Sequence, residues 1–374
     1  MPHVPDFIVA SWPQFQLFCV AYCVWLALMS LRPGRDGAPR PAIGLHLVGA
    51  ALLLLAANFM VPSLQMLAKP WADLAGFASP AASPDSIVAQ IPQYVRVGLV
   101  NTWLQLQLIC AVYSVGLAIE ALRPAHGDQP FKHVGFNLVY TALFLLATNF
   151  LVPPLQWMTK PWIDKWGLAV PVAFPDSFFG QVLQTLAFLF IMDFFYYWFH
   201  RTQHTFSALW AQHKIHHSEF SLNITTGNRH HWLEEPLRVF ALWLPIGLIF
   251  QQKPVTIAWL WSAFLLWGYF IHMNLRLPLG PLSPVFGGPQ VHRIHHSNLP
   301  EHRDRNFAAF FPIFDVLFGT YCKPERDTYP TTGLHDGEDL NGVGRASLAP
   351  FRVWKRQIRD LFTSRSAARR AALK

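Results

Sequence analysis

Apolar residues in this chain come in runs long enough to cross a bilayer. Four segments lack Asp, Glu, Lys and Arg altogether: Gln14 to Leu31, Ile43 to Ala68, Val97 to Ile119, and Val134 to Thr159. A fifth, Ser177 to Phe199, is interrupted only by Asp193. About 20 apolar residues wound as a helix cover roughly 30 Å of hydrocarbon, so each run predicts a spanning helix. Beyond Glu235 two shorter runs, Pro236 to Phe250 and Pro254 to Ile271, flank the polar turn "QQK". They predict a helical hairpin that enters or crosses the membrane and returns. The fold class expected is all-α, a polytopic membrane helical bundle carrying a cytoplasmic helical cap rich in histidine.

The first half is written twice at an offset of 91 residues. "NFMVPSLQMLAKPW" at Asn58 returns as "NFLVPPLQWMTKPW" at Asn149, "LRP" at Leu31 returns at Leu122, and "PDS" at Pro84 returns at Pro175. Such self-similarity marks a copied helical-pair module. The expected division is 1–93 and 94–176 for the two copies, 177–322 for a catalytic domain, and 323–374 for a basic tail. The module has no cluster of histidines, which makes it scaffold or a lipid-access surface.

Composition agrees with a membrane protein: 52% hydrophobic, 13% charged, and a mean hydropathy of +0.26. The net charge of +8 resides in loops and at the C-terminus, so anionic lipid headgroups, not nucleic acid, are the expected counter-charge. The opening residues have no basic region or small-residue cleavage pattern, and no removable signal peptide is expected. Four cysteines, Cys19, Cys23, Cys110 and Cys322, offer no disulfide framework. The distribution of Lys and Arg, and above all the tail "FRVWKRQIRDLFTSRSAARRAALK", predicts a cytoplasmic C-terminus. With five spans, the residues from His200 onward share that side, at a bacterial inner membrane or an endoplasmic reticulum. Val353, Trp354, Ile358, Leu361 and Phe362 recur at helical spacing among the basic residues and predict a surface-lying amphipathic helix.

Twelve of the 17 histidines fall between His200 and His302. In "DFFYYWFHRTQH", His200 and His204 stand at i, i+4 on one helical face, with Asp193 two turns earlier on the same face. "HKIHHS" places His213, His216 and His217 on one stripe, and "HRIHHS" does the same with His292, His295 and His296. Each hexapeptide predicts a three-nitrogen claw. Eight buried imidazoles without a metal would leave unpaired polar groups at about 1 to 3 kcal/mol each. Eight His exceed what one structural zinc needs, and neither E-x-x-H nor H-E-x-x-H occurs. Two six-coordinate ions remain the natural accounting. His231 in "TTGNRHHWLEEP" and His272 in "YFIHMN" complete a set of ten, with His230 and His302 left to supporting or surface roles.

These residues resemble the fatty acid hydroxylase/sterol desaturase superfamily of integral membrane di-iron oxidases. Its pattern D-F-x-Y-Y-W-x-H-R-x-x-H fits Asp193 to His204, H-K-I-H-H-S fits His213 to Ser218, and N-x-T-T-x-x-R-x-H-x-x-E fits Asn223 to Glu234. F-x-H-x-N fits Phe270 to Asn274, and H-R-I-H-H-S with D-R-N-F and F-D-V-L-F-G-T fits His292 to Thr320. The third pattern selects His231 over His230. The resemblance implies a pair of iron ions, O2 as oxidant, and electrons from a separate protein, since no cytochrome b5-like or ferredoxin-like segment is visible. It implies hydroxylation of a membrane lipid, with desaturation as the alternative; a metal-binding or metal-transport membrane protein is the rival of another class. Asp193 and Glu234 are the catalytic candidates, Asp193 being expected to accept a hydrogen bond from a metal-bound His. The apolar stretch Leu237 to Phe270 is expected to wall the substrate.

Overall fold

The computed structural model describes residues 93–127, 131–168, 177–250 and 254–371. The first two expected spans, the first copy of the duplicated module and the "QQK" turn lie outside the described residues. Among the described residues the structure is helical, with two isolated β-bridges, Pro124 to Leu275 and Ser297 to Thr332, and no strand.

Two compact units divide the chain. One holds α1 (Gln93–Leu122) and the part of α2 (Phe131–Trp166) up to Pro153, where consecutive prolines interrupt the ladder of backbone donors. These helices are joined by polar contacts suited to an apolar medium: Asn149 Nδ2 donates to Gln105 Oε1 at 2.9 Å and to Thr102 Oγ1 at 3.2 Å, and the Tyr94 hydroxyl donates to the Phe150 carbonyl. Gly98 meets the Phe150 ring so closely that an added Cβ would lie 2.8 Å from it. Asn149 and Phe150 open the repeated "NFLVPP", so the motif serves helix pairing.

The other unit runs from Pro154 onward and includes Pro124–His126. α3 (Phe178–Thr205) begins at Ser177, whose hydroxyl accepts the Gly180 N–H at 3.1 Å, and ends where Phe206 turns extended. α4 (Ser207–His217) then folds back on it. α5 (Glu234–Arg238), a π turn (Val239–Trp243) and α6 (Leu244–Phe250) form one arm of the expected hairpin, and α7 (Pro254–Ile271) the other. Short α8 (Pro289–His295) and α9 (Ile313–Leu317) precede the long tail helix α10 (Val343–Ala371). α1, α2 and α3 are each long and apolar enough to cross a membrane.

An aromatic core lies between α3, the hairpin arms and the segment Phe307–Phe311. Trp267 stacks on Phe310 at 4.5 Å and donates its indole N–H to the Ala309 carbonyl at 3.1 Å. Two buried carboxylates hold this segment. Asp315 accepts the N–H groups of Phe307 (2.7 Å) and Ala308 (3.0 Å), and Asp193 accepts those of Ala309 (3.0 Å), Phe310 (3.0 Å) and Phe311 (2.6 Å). Five successive backbone donors in an apolar core would otherwise be costly.

Candidate metal centre

Nine imidazoles converge in two clusters. His200, His204, His213, His217 and His295 form one, and His216, His272, His292 and His296 the other. Within the five-histidine cluster, Nε2 of His200 is 3.0 Å from Nε2 of His213, and Nε2 of His204 is 3.2 Å from that of His217. Within the four-histidine cluster, Nε2 of His272 stands 3.0 Å from those of His216 and His292, and His296 is 3.2 Å from His292. Two nitrogens bound at about 2.1 Å to one ion and 90° apart would be about 3 Å from each other.

The outer nitrogens show which proton each ring carries. Nδ1 of His200 donates to the Phe307 carbonyl at 2.7 Å, that of His295 to the Arg305 carbonyl at 2.8 Å, and that of His272 to the Gly268 carbonyl at 2.5 Å. His213 Nδ1 faces Glu234 at 3.4 Å and His204 Nδ1 faces Asp304 at 3.2 Å. Burial alone would raise the Glu234 carboxyl, but His230, Arg238 and His213 around it hold it well below the usual carboxylate range, so it is a charged acceptor. A ring that donates through Nδ1 keeps a bare lone pair on Nε2. Nε2 of His200 and Nε2 of His213 approach to 3.0 Å, the separation that two nitrogens bound to one cation would have. Burial first, and then neighbouring imidazoles, push His216, His217, His292 and His296 well below the ordinary histidine range; burial and His204 do the same for His295. Neutral nitrogen donors of this kind suit a transition metal.

Each hexapeptide claw proves to be divided. His213 and His217 join one cluster while His216 joins the other; His295 joins the first while His292 and His296 join the second. Residues at i+3 and i+4 differ by about 100° around a helix, so one claw straddles both positions. His272 is in place. His231 is not: its Nε2 donates to the Ser347 carbonyl at 3.1 Å and its Nδ1 accepts the Leu233 N–H at 3.2 Å, which engages both nitrogens away from the clusters. The neighbouring His230 faces them instead, stacked on His216 at 4.2 Å with Nδ1 3.1 Å from Glu234. His302 bonds Ser297 and joins neither cluster.

Of the two catalytic candidates, Asp193 has a different place from the one expected. Asp193 accepts no histidine, nor does it pair with Arg201 or Arg229; it caps the segment whose first carbonyl, Phe307, receives His200. Asp193 lies seven residues, about 10 Å of helix, below His200, and the segment passes between. Glu234 contacts His213, His230 and Arg238, the last at 2.8 Å. Sequence reasoning missed what "DRNF" does. Asp304 and Asn306 both take left-handed backbone (φ 55° and 56°), and the coiled segment presents Asp304, the Arg305 carbonyl and the Phe307 carbonyl to His204, His295 and His200 in turn. Arg229, fully buried, ties the end of α4 by bonds to the Ile215 carbonyl (3.0 Å), Ser218 (2.8 Å) and Glu219 (3.3 Å). A cavity of about 630 Å³ opens beside His204, His217 and His295, with Trp210, Asp304 and Arg356 on its wall.

The described helices thus bring nine imidazoles into two groups that could each hold a metal ion, and comparison with known proteins shows what the chain is similar to. Residues 185–320 match the fatty acid hydroxylase family model. The alkylglycerol monooxygenase of Danio rerio is 37% identical over 38% of this chain and 31% of its own length. That of Homo sapiens is 33% identical over 68% of this chain and 54% of its own, and the ornithine lipid hydroxylase OlsE of Rhizobium tropici 29% identical over 56% and 59%. The chain thus spans between about a third and three-fifths of these relatives. No solved structure matches it.

Proposed function

We propose that this protein is an integral membrane, O2-dependent di-iron hydroxylase that inserts oxygen into a C–H bond of a membrane lipid. The observation that carries the reading is the pair of clusters, above all the 3.0 Å approach of Nε2 of His200 to Nε2 of His213. The relatives' names, monooxygenase and lipid hydroxylase, support the same reaction class. His200, His204, His213, His217 and His295 hold one ion; His216, His272, His292 and His296 hold the other. Bound iron supplies the oxidising chemistry.

The chain supplies the rest. Phe307 and Arg305 carbonyls, Glu234 and Asp304 fix the ring tautomers, as partners of metal ligands do. Glu234, held charged between His213, His230 and Arg238, positions the His213 ring of the five-histidine cluster and the His230 ring stacked on His216. Tyr196, 5.3 Å from His200, and Phe307, 5.1 Å from His204, bring the aromatic core against one side of the five-histidine cluster, the side suited to an apolar chain. The clusters and C-terminus face the cytoplasm, and a separate protein delivers electrons.

Elemental analysis of the detergent-purified protein, with His213→Ala beside wild type, is the first test. About two iron per chain, lost in part or whole in the variant, followed by lipids of expressing cells gaining one oxygen, is the expected result. Wild-type protein without metal after iron-replete growth overturns the reading.

A further inference from the structure

The tail helix α10 has two faces of different character. One is anchored: the Trp354 indole donates to the Ala208 carbonyl at 2.7 Å, Gln357 donates to Ser207 Oγ at 2.9 Å, and Ala346 and Ala349 are buried. α3 ends at Thr205, so both anchors lie within three residues of the point where that helix stops. Phe206, exposed there, and Trp198, exposed about two turns earlier on α3, are the kind of aromatic residues that sit at a membrane–water interface. The anchored part of α10, at Trp354 and Gln357, therefore lies at the level where α3 ends.

The other face is exposed and apolar. Leu348, Phe351, Ile358 and Phe362 retain 52%, 39%, 55% and 66% of their accessible surface. At 100° per residue these four fall within an arc of about 80°. Lys355 lies inside the arc and Arg352 and Arg359 stand about 40° or less beyond its edge, all three exposed. A narrow apolar stripe edged by cations, at the height where a span ends, is complementary to an anionic lipid surface.

We propose that α10 docks through this stripe on the anionic surface of the membrane that α3 spans. The inference rests on the membrane-spanning reading of α3. Docking would fix one wall of the cavity beside His204, since Val353, Arg356 and Gln357 of α10 line it.

The test uses the full chain in nanodiscs of phosphatidylcholine alone or with added phosphatidylglycerol, followed by trypsin cleavage within α10. Wild type is expected to be cut about tenfold more slowly in the anionic discs, with protection weakened by salt and abolished in Ile358→Ser/Phe362→Ser. Both substitutions are on exposed positions, and unchanged iron content confirms that the variant is folded. Equal cleavage in the two lipids, or full protection of the double variant, overturns the proposal. Protection that follows protein concentration and not lipid charge overturns it too, and assigns the stripe to a second copy of the chain. A chain that does not enter discs overturns the spanning reading itself.

Discussion

The two histidine clusters differ in how their rings are held. In the five-histidine cluster, four rings have an outer partner at Nδ1: Phe307, Asp304, Glu234 and Arg305. In the four-histidine cluster only His272 has one, while Nδ1 of His216, His292 and His296 finds no protein acceptor. The five-histidine cluster also abuts a cavity through His204, His217 and His295, and His204 is its one member that is not fully buried, whereas all four rings of the other are buried. One site has four of its five rings oriented by protein partners; the other leaves three of its four to be set by whatever they bind. The contrast teaches that equal ligand chemistry can be given unequal rigidity, because orientation comes from the surrounding contacts and not from the histidines.

The largest effects should come from removing a ring on either side. His200→Ala and His272→Ala are each expected to lower iron from about two to about one per chain, read by elemental analysis. Loss of both ions in either variant would show that the clusters do not bind separately.

Acid should act next, and on both. Histidines held below their ordinary value bind fewer protons folded than unfolded, so their contribution is fully present above about pH 6.5 and declines as pH falls below it. Iron retention and thermal stability should fall together from about pH 6.5 downward. Stability that is flat between pH 7 and 5 would contradict the buried neutral state.

Glu234→Gln sharpens the contrast, because it touches His213 and not the four-histidine cluster. It should weaken one of two iron-binding steps by about 10- to 100-fold and spare the other, as titration with a chelator would resolve. Asp193→Asn keeps one acceptor oxygen for three N–H groups, which should cost about 1 to 3 kcal/mol in thermal unfolding for each donor left unpaired. The smallest effect is expected from Asp304→Asn. Its carboxylate is 58% exposed, so the bond to His204 is screened and the loss of iron affinity should be about threefold or less.

Much of the site could be seen in the linear chain because helical spacing is local. The i, i+3, i+4 pattern marked the eight histidines of the three boxes, and all eight converge. The choice between His230 and His231 could not be made that way. A 3-10 turn ends at Asn228 and the chain continues irregularly, so adjacent residues point to opposite sides and only packing decides which faces inward. Asp193 was marked as unusual by its charge in an apolar run, yet its partners are backbone groups more than a hundred residues later, which carry no side-chain signature.

By itself, then, the order of residues determined the helical class, the three long apolar helices among the described residues, and the histidines of the three boxes that assemble, since all of these depend on neighbours within a turn or two. The tertiary structure alone decided how six histidines of two hexapeptides are shared between two sites, which ring nitrogens face inward, and that Asp193 and "DRNF" act through a single aromatic segment. Those outcomes depend on long-range approach of α3, α4, α7 and α8, and backbone carbonyls that receive imidazole protons are the same in every residue type.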